Sequence, residues 1–233
     1  MTILLLVRHG RTAANAAGIL AGRTPGVRLD ATGWEQARAA GRRLAGVTLA
    51  AQVSSPLERC LETARALREG RGDASDPEVI VDEALSEVDY GAWSGRSLAD
   101  LAGEELWRTV QAHPSAARFP GGESMVAMAQ RAVSAIRARQ DRIADENGAE
   151  AVWVAVSHGD IIKAVLADAL GLHLDQFQRL VVHPASVSAV RYTPARPYVL
   201  TLNSSSGPIR DLLPAEARPG EDAAVGGGAG SAT

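Results

Sequence analysis

Short apolar runs alternate with longer amphipathic ones along this chain. Residues 2–7, Thr-Ile-Leu-Leu-Leu-Val, are brief and almost continuously apolar, which predicts a strand buried on both faces of a sheet. Residues 152–156, Val-Trp-Val-Ala-Val, read the same way, and both runs stop at a polar dipeptide containing histidine. Ala50 to Ser54 is a weaker strand and Val79 to Val81 another. Val187 to Tyr192 and Tyr198 to Leu202 form a late pair joined by a Thr193-Pro194 turn.

Helical patterns lie between these strands. Thr32-Gly33-Trp34-Glu35 has the form of a capping box opening a helix to about Ala45. Ser55-Pro56-Leu57-Glu58 is a second box, with Pro56 at the favoured first helical position. From Ser124 to about Glu146, apolar residues recur every three or four positions, the mark of a long amphipathic helix. Gly159 to Leu170 predicts another. Strands alternating with helices predict an α/β fold: a mostly parallel central sheet with helices on both faces, in three layers. The stretch at about 83–122 breaks the rhythm with two short helical patterns and a Phe119-Pro120-Gly121-Gly122 turn, and reads as a small cap insertion. The domain is expected to occupy 1–205, with 206–233 a flexible tail rich in Gly and Ala.

Composition narrows the chemistry. The chain has 233 residues, with 24 basic and 27 acidic side chains and a net charge of −3, so it is no nucleic-acid polyelectrolyte. Lys163 is the only lysine, so arginine is common enough here that no single one is informative. Without a Gly-Lys-Ser/Thr sequence, a P-loop is excluded. The lone Cys60 excludes an intrachain disulfide or a cysteine-built metal cluster. No apolar run approaches a membrane span, and the run from Ile3 to Val7 is too short for a signal sequence; a cytoplasmic protein is expected.

In parallel α/β sheets ligands sit at the carboxyl ends of strands. The first strand delivers Arg8-His9-Gly10 there, the second Ser54-Ser55-Pro56 with Arg59 one helical turn on, and the 152–156 strand Ser157-His158-Gly159. The two His-Gly strand ends, beside two guanidiniums and the start of a helix at Gly159, describe a cationic pocket suited to phosphate. A metal site is the rival, since His158-Gly159-Asp160 has the form of an H-x-D ligand pair and His183 is available. Arg8 and Arg59 weigh against it, because they would repel a dication. Phosphate with two histidines suggests phosphoryl transfer through a phosphohistidine, with His9 held neutral by the arginines. A leaving alkoxide needs a proton donor. Glu87, after the 79–81 strand, is the candidate, although on spacing alone a solvated glutamate is commoner. Trp93, Trp107 and Phe119 are either an apolar wall for an organic leaving group or core aromatics of the cap; His113 and His173 read as structural or surface residues.

These motifs resemble the histidine phosphatase superfamily, its phosphoglycerate-mutase-like branch, with a flavour of an actinobacterial subgroup labelled phosphomutases or phosphatases. Leu6-Val7-Arg8-His9-Gly10-Arg11-Thr12-Ala13-Ala14-Asn15 is similar to the R-H-G-x-T-x-x-N nucleophile motif. Ala21-Gly22-Arg23, and then Leu29 to Ala37, resemble the segment that follows. Ser54 to Ala64 resembles the second-arginine motif, and Ser157-His158-Gly159 the second-histidine motif. The resemblance implies His9 as phospho-accepting nucleophile, Arg8, Arg59 and His158 as the rest of the phosphate pocket, and Glu87 as proton donor. It implies Asn15, Thr12 and the backbone of Gly22 and Gly159 as substrate-site residues, and neither a metal nor an organic cofactor. Arg11 departs from the commoner glutamate and adds local positive charge that could alter what binds beyond the phosphate.

Phosphatase and mutase share such a pocket. The glycolytic mutases carry a long insertion after the acid and an Arg-His pair beside it; here the span from Glu87 to His158 is short and Val88-Asp89 stands at that place. The expected activity is therefore phosphomonoester hydrolysis on a small phosphorylated metabolite. A phosphoglycerate-type mutase is the alternative, and a catalytically poor phosphate-binding regulatory module a third. Neither nucleic acid nor membrane is an expected partner, and because related folds often dimerise, a homodimer is one expected state.

Overall fold

The computed structural model describes residues 1–205; the expected tail at 206–233 lies outside the described residues. In chain order the main elements are β1 (Thr2–Arg8), α1 (Ala13–Ala16), α2 (Ala31–Arg43), β2 (Ala51–Ser54), α3 (Glu58–Arg71), β3 (Val79–Val81), α4 (Leu98–Leu101), α5 (Glu105–Ala112), α6 (Met125–Asn147), β4 (Val152–Ser157), α7 (Gly159–Leu170), β5 (Val187–Tyr192) and β6 (Pro197–Ser204). The six strands form one sheet in the order β3-β2-β4-β1-β5-β6. The pairs β3–β2, β2–β4 and β4–β1 are parallel, while β5 runs antiparallel to β1 and to β6.

Side chains alternate across a strand, so each apolar run supplies two cores. Leu4 and Leu6 of β1, with Trp153 and Ala155 of β4, pack under α6 and α7 through Ile136, Ile143, Ile162 and Leu166. Leu5 and Val7, with Val154 and Val156, pack under α2 and α3 through Ala40, Leu44, Ala64 and Leu67. Burial on both faces explains why β1 and β4 carry no polar alternation. The edge strand β6 leaves Tyr198 and Leu200 exposed.

Two expected helix starts are revised. α2 is capped by Asp30, whose side chain accepts from Gly33 N, so the box beginning at Thr32 is not formed. Thr32 instead accepts from Arg11 Nη2 at 2.8 Å. α3 begins at Glu58 and not at Pro56, with no side-chain cap at Leu57. Ser55, the expected cap, turns its hydroxyl to His158. Ser124 does cap α6, accepting from Ala127 N.

The cap spans the irregular region between β3 and α6 as short 3-10 turns with α4 and α5. Trp93 and Phe119 are fully buried in it, their rings edge-on at 5.3 Å, and Tyr90 meets Phe119 at 5.0 Å. These aromatics, with Trp107 against Trp93, are core of the cap. Among the described residues no helix is long and apolar enough to cross a membrane.

One close approach fixes the loop after β1. A Cβ on Gly33 would sit 2.0 Å from Arg11 O, and one on Gly10 would sit 2.4 Å from Gly33 O. Backbone crosses backbone there, with no flexible side chain to give way. Gly33→Ala is expected to cost about 2–4 kcal/mol, from forced backbone movement beside His9. Urea unfolding checks the value; an unchanged midpoint would mean that the crossing is slack.

Candidate active site

Parallel register brings three strand ends together: Arg8 of β1 pairs with Ser157 of β4, and Ser54 of β2 with Val156. The next residues step out of the sheet side by side. His9 N donates to Ser157 O at 2.9 Å and Ser55 N donates to Val156 O at 3.0 Å. The turn after His9 is held by α3, since Gly10 N donates to Thr63 Oγ1 at 3.0 Å and that hydroxyl donates to Arg59 O at 2.7 Å. The loop after β1 and Arg59 thus share one anchor.

His9 is 3% exposed, and its Nδ1 lies 2.8 Å from Gly10 O. A carbonyl can only accept, so Nδ1 carries the proton and Nε2 presents its lone pair. Burial, then Arg59 and Arg8, push the His9 pKa well below the usual imidazole value, keeping the ring neutral. The His158 ring stands 5.3 Å from it at 60°, fully buried, with Nε2 2.7 Å from Ser55 Oγ. Its pKa is also well below normal, from burial, Arg59 and His9.

The guanidiniums are buried as well. Arg8 Nη1 donates to Val182 O at 2.8 Å, and burial lowers its pKa to about 10 although Glu87 and Asp160 oppose that shift, so it stays protonated at neutral pH. Arg59 Nη2 donates to Gly22 O at 2.7 Å, while its Nη1 has no hydrogen-bond partner among the described residues. A buried cationic donor left open beside two neutral imidazoles is what an oxyanion would satisfy.

Glu87 faces the same pocket as His9 and is 4% exposed. Burial first and Asp160 second push its pKa up to about 7, outweighing Arg59 and Arg8. Its backbone is clamped: Arg23 Nε and Arg131 Nη2 donate to Glu87 O at 2.8 and 3.1 Å, and both arginines pair with Glu123. The Ser157 hydroxyl donates to Leu85 O at 2.7 Å, tying this loop to the end of β4.

Asn15 and Gly22 line the pocket. Thr12 does not line it; its side chain caps α1 and exchanges hydrogen bonds with Asn15, so it sets that residue's orientation. Gly159 opens α7 behind His158 and is buried. Arg11 turns away: its Nε pairs with Asp30 Oδ2 at 2.8 Å, so its charge is spent outside the pocket. His113 and His173 are exposed beside Asp175. The metal alternative finds no donor set, because Asp160 is occupied by the Tyr90 hydroxyl at 2.8 Å and no three His, Cys, Asp or Glu groups among the described residues converge to hold an ion.

Sequence reasoning weighed Asp160 only as a metal ligand and missed its hydrogen bond from Tyr90, and it missed the Glu123 clamp. It also missed the pocket wall of Ile19, Leu20 and Leu98. Only the hydroxyl three residues after Glu87 could have hinted at the Tyr90 bond.

A family model described as histidine phosphatase superfamily (branch 1) matches residues 4–205. The chain belongs to that superfamily. The bifunctional protein Rv2228c of Mycobacterium tuberculosis is 38% identical over 195 residues, 82% of this chain and 50% of that protein. The chain thus spans about half the length of that relative. The 2,3-bisphosphoglycerate-dependent phosphoglycerate mutase 2 of Gloeobacter violaceus is 32% identical over 189 residues, 78% of this chain and 82% of the mutase. The alpha-ribazole phosphatase of Shigella flexneri shares the fold with a TM-score of 0.73, at 28% identity, over 87% of this chain and 96% of that one. Relatives in this superfamily thus include both a phosphoglycerate mutase and a phosphatase.

Proposed function

We propose that the chain is a phosphomonoester hydrolase working through a phosphohistidine on His9. The observation that carries this reading is the free Nε2 of a neutral, buried His9, held by the Gly10 carbonyl and flanked by Arg59 with an open donor. In the first step His9 Nε2 forms a bond to phosphorus, the bond from phosphorus to the leaving oxygen breaks, and Glu87 gives its proton to that oxygen. Arg8, Arg59 and His158 hold the equatorial phosphoryl oxygens as charge spreads over them. In the second step water attacks phosphorus, the P–N bond breaks, and the Glu87 carboxylate takes the water proton. Asn15 and the backbone at Gly22 border the substrate.

Water, not a second alcohol, is the acceptor in this reading. Val88 and Asp89 follow the acid, the cap folds its aromatics into its own core, and Asn15, Ile19 and Leu98 at the pocket remain only partly buried, so water has access. The shared phosphate pocket equally serves a mutase, for which a bisphosphorylated cofactor would prime His9.

The test uses p-nitrophenyl phosphate turnover with EDTA present, and in parallel 3-phosphoglycerate with 2,3-bisphosphoglycerate. Phosphate release insensitive to chelation is the expected result. Interconversion to 2-phosphoglycerate faster than phosphate release would establish the mutase. Phosphate-ester binding with no turnover of either kind would establish the binding module.

A further inference from the structure

We infer that the pocket beyond the phosphate takes the neutral, carboxylate-free alcohol portion of a phosphomonoester, a specificity that rests on the hydrolase reading above. Its wall is a stitched pair of segments. Leu20 N donates to Arg96 O at 2.9 Å, Gly95 N to Leu20 O at 2.8 Å and Leu98 N to Gly18 O at 2.8 Å. These bonds consume the backbone donors of Leu20, Gly95 and Leu98 and leave Ile19, Leu20 and Leu98 as the wall's side-chain lining. Tyr90 adds ring carbon, because its hydroxyl is spent on Asp160 at 2.8 Å. Gly22 sits so close that a Cβ there would come within 2.9 Å of the Tyr90 ring.

The arginines nearest in sequence are all committed elsewhere. Arg11 is held by Asp30 and Thr32, each at 2.8 Å. Arg23 is held by Glu87 O at 2.8 Å and Glu123 at 3.0 Å, and Arg96 by Glu104. Among the described residues the polar side chains lining the pocket besides Tyr90 are His9, Asn15 and Glu87. Asn15 Oδ1 accepts from Thr12 N at 3.1 Å and from Thr12 Oγ1 at 2.9 Å, which turns its amide N–H groups toward the remaining space. A hydroxyl or ether oxygen of the substrate can accept from them. A carboxylate at the same place would lose water against an apolar wall, and with Arg59 engaged by the phosphate no lining side chain is a cation that could pair with it. That is the arrangement that rejects a charged competitor.

Glycerol 3-phosphate and 3-phosphoglycerate form a matched pair, differing by a hydroxymethyl against a carboxylate. The expected kcat/KM favours glycerol 3-phosphate by about 30-fold or more, the scale set by an unpaired charge at a partly open site. Phenyl phosphate against 4-carboxyphenyl phosphate should order the same way. Leu98→Arg, which supplies a cation on the wall, should narrow the preference to within a few-fold. Direct binding of the glycerol pair to the His9→Ala chain, by calorimetry, gives a readout independent of turnover. Equal or better use of the carboxylated ester, with hydrolysis intact, overturns the specificity and leaves the hydrolase. Preserved binding preference with no hydrolysis overturns the hydrolase and leaves the pocket's preference. Equal binding and equal turnover, unaltered by Leu98→Arg, overturns the inference outright.

Discussion

His9→Ala is expected to lower phosphatase turnover by about 10⁴-fold or more, with no phosphoryl-enzyme trapped on rapid quenching. The size follows from the site's design. In the proposed mechanism Arg8, Arg59 and His158 hold the oxyanion, but none of them presents an uncharged nucleophilic nitrogen with its proton fixed on the opposite side of the ring. His158 comes nearest, yet its Nε2 is 2.7 Å from Ser55 Oγ. Electrostatic assistance alone would survive in the mutant and leave only a residual rate over water. The variant should fold, because His9 gives up one side-chain hydrogen bond, to Gly10 O, and an edge contact with His158. A phosphoryl group bound through nitrogen is stable in alkali and labile in acid, so the label trapped on the wild type identifies the atom. Near wild-type turnover in the mutant would sink the mechanism.

The same neutrality shows how the site's electrostatics were legible and where they were not. Two buried strands each ending in His-Gly located the His9–His158 pair, because strands buried on both faces read as unbroken apolar runs. Arg59 was legible through its place one turn after the β2 end. Arg11 was misjudged: its charge is cancelled by Asp30, a residue nineteen positions on, and nothing in local spacing reveals such a pairing. Both misplaced helix starts have one cause as well. Thr32 and Ser55 fit the capping pattern, but each hydroxyl found a tertiary partner, Arg11 for one and His158 for the other. A capping box is a local preference of about 1 kcal/mol and gives way to a buried hydrogen bond. The cap region was visible only as a break in rhythm, since its short turns are set by the Trp93–Phe119–Tyr90 packing and not by periodicity.

Glu87→Gln separates proton donation from everything else the pocket does. The amide is isosteric and its oxygen can still accept from Val88 N, a 3.0 Å bond in the native chain. It has no acidic proton to give. For an alkyl phosphate, whose alkoxide leaves poorly, the expected loss in kcat/KM is about 10²–10⁴-fold; for p-nitrophenyl phosphate, whose phenolate leaves unaided, it should be about tenfold or less. Native kcat/KM should fall as pH rises through about 7, where Glu87 ionises, and that limb should vanish in the variant. Stability carries the same signature. The folded-state pKa, about 7, lies above the ordinary value of 4.5, so the native fold holds a proton that the unfolded chain has released across that window. The contribution is therefore full below about 4.5 and lost as pH rises to about 7. Glutamine does not titrate, so the variant's melting temperature should decline less over this range. Equal losses for the alkyl and nitrophenyl esters would show that Glu87 organises the pocket without donating a proton. A basic limb retained in the variant would place the titrating acid elsewhere.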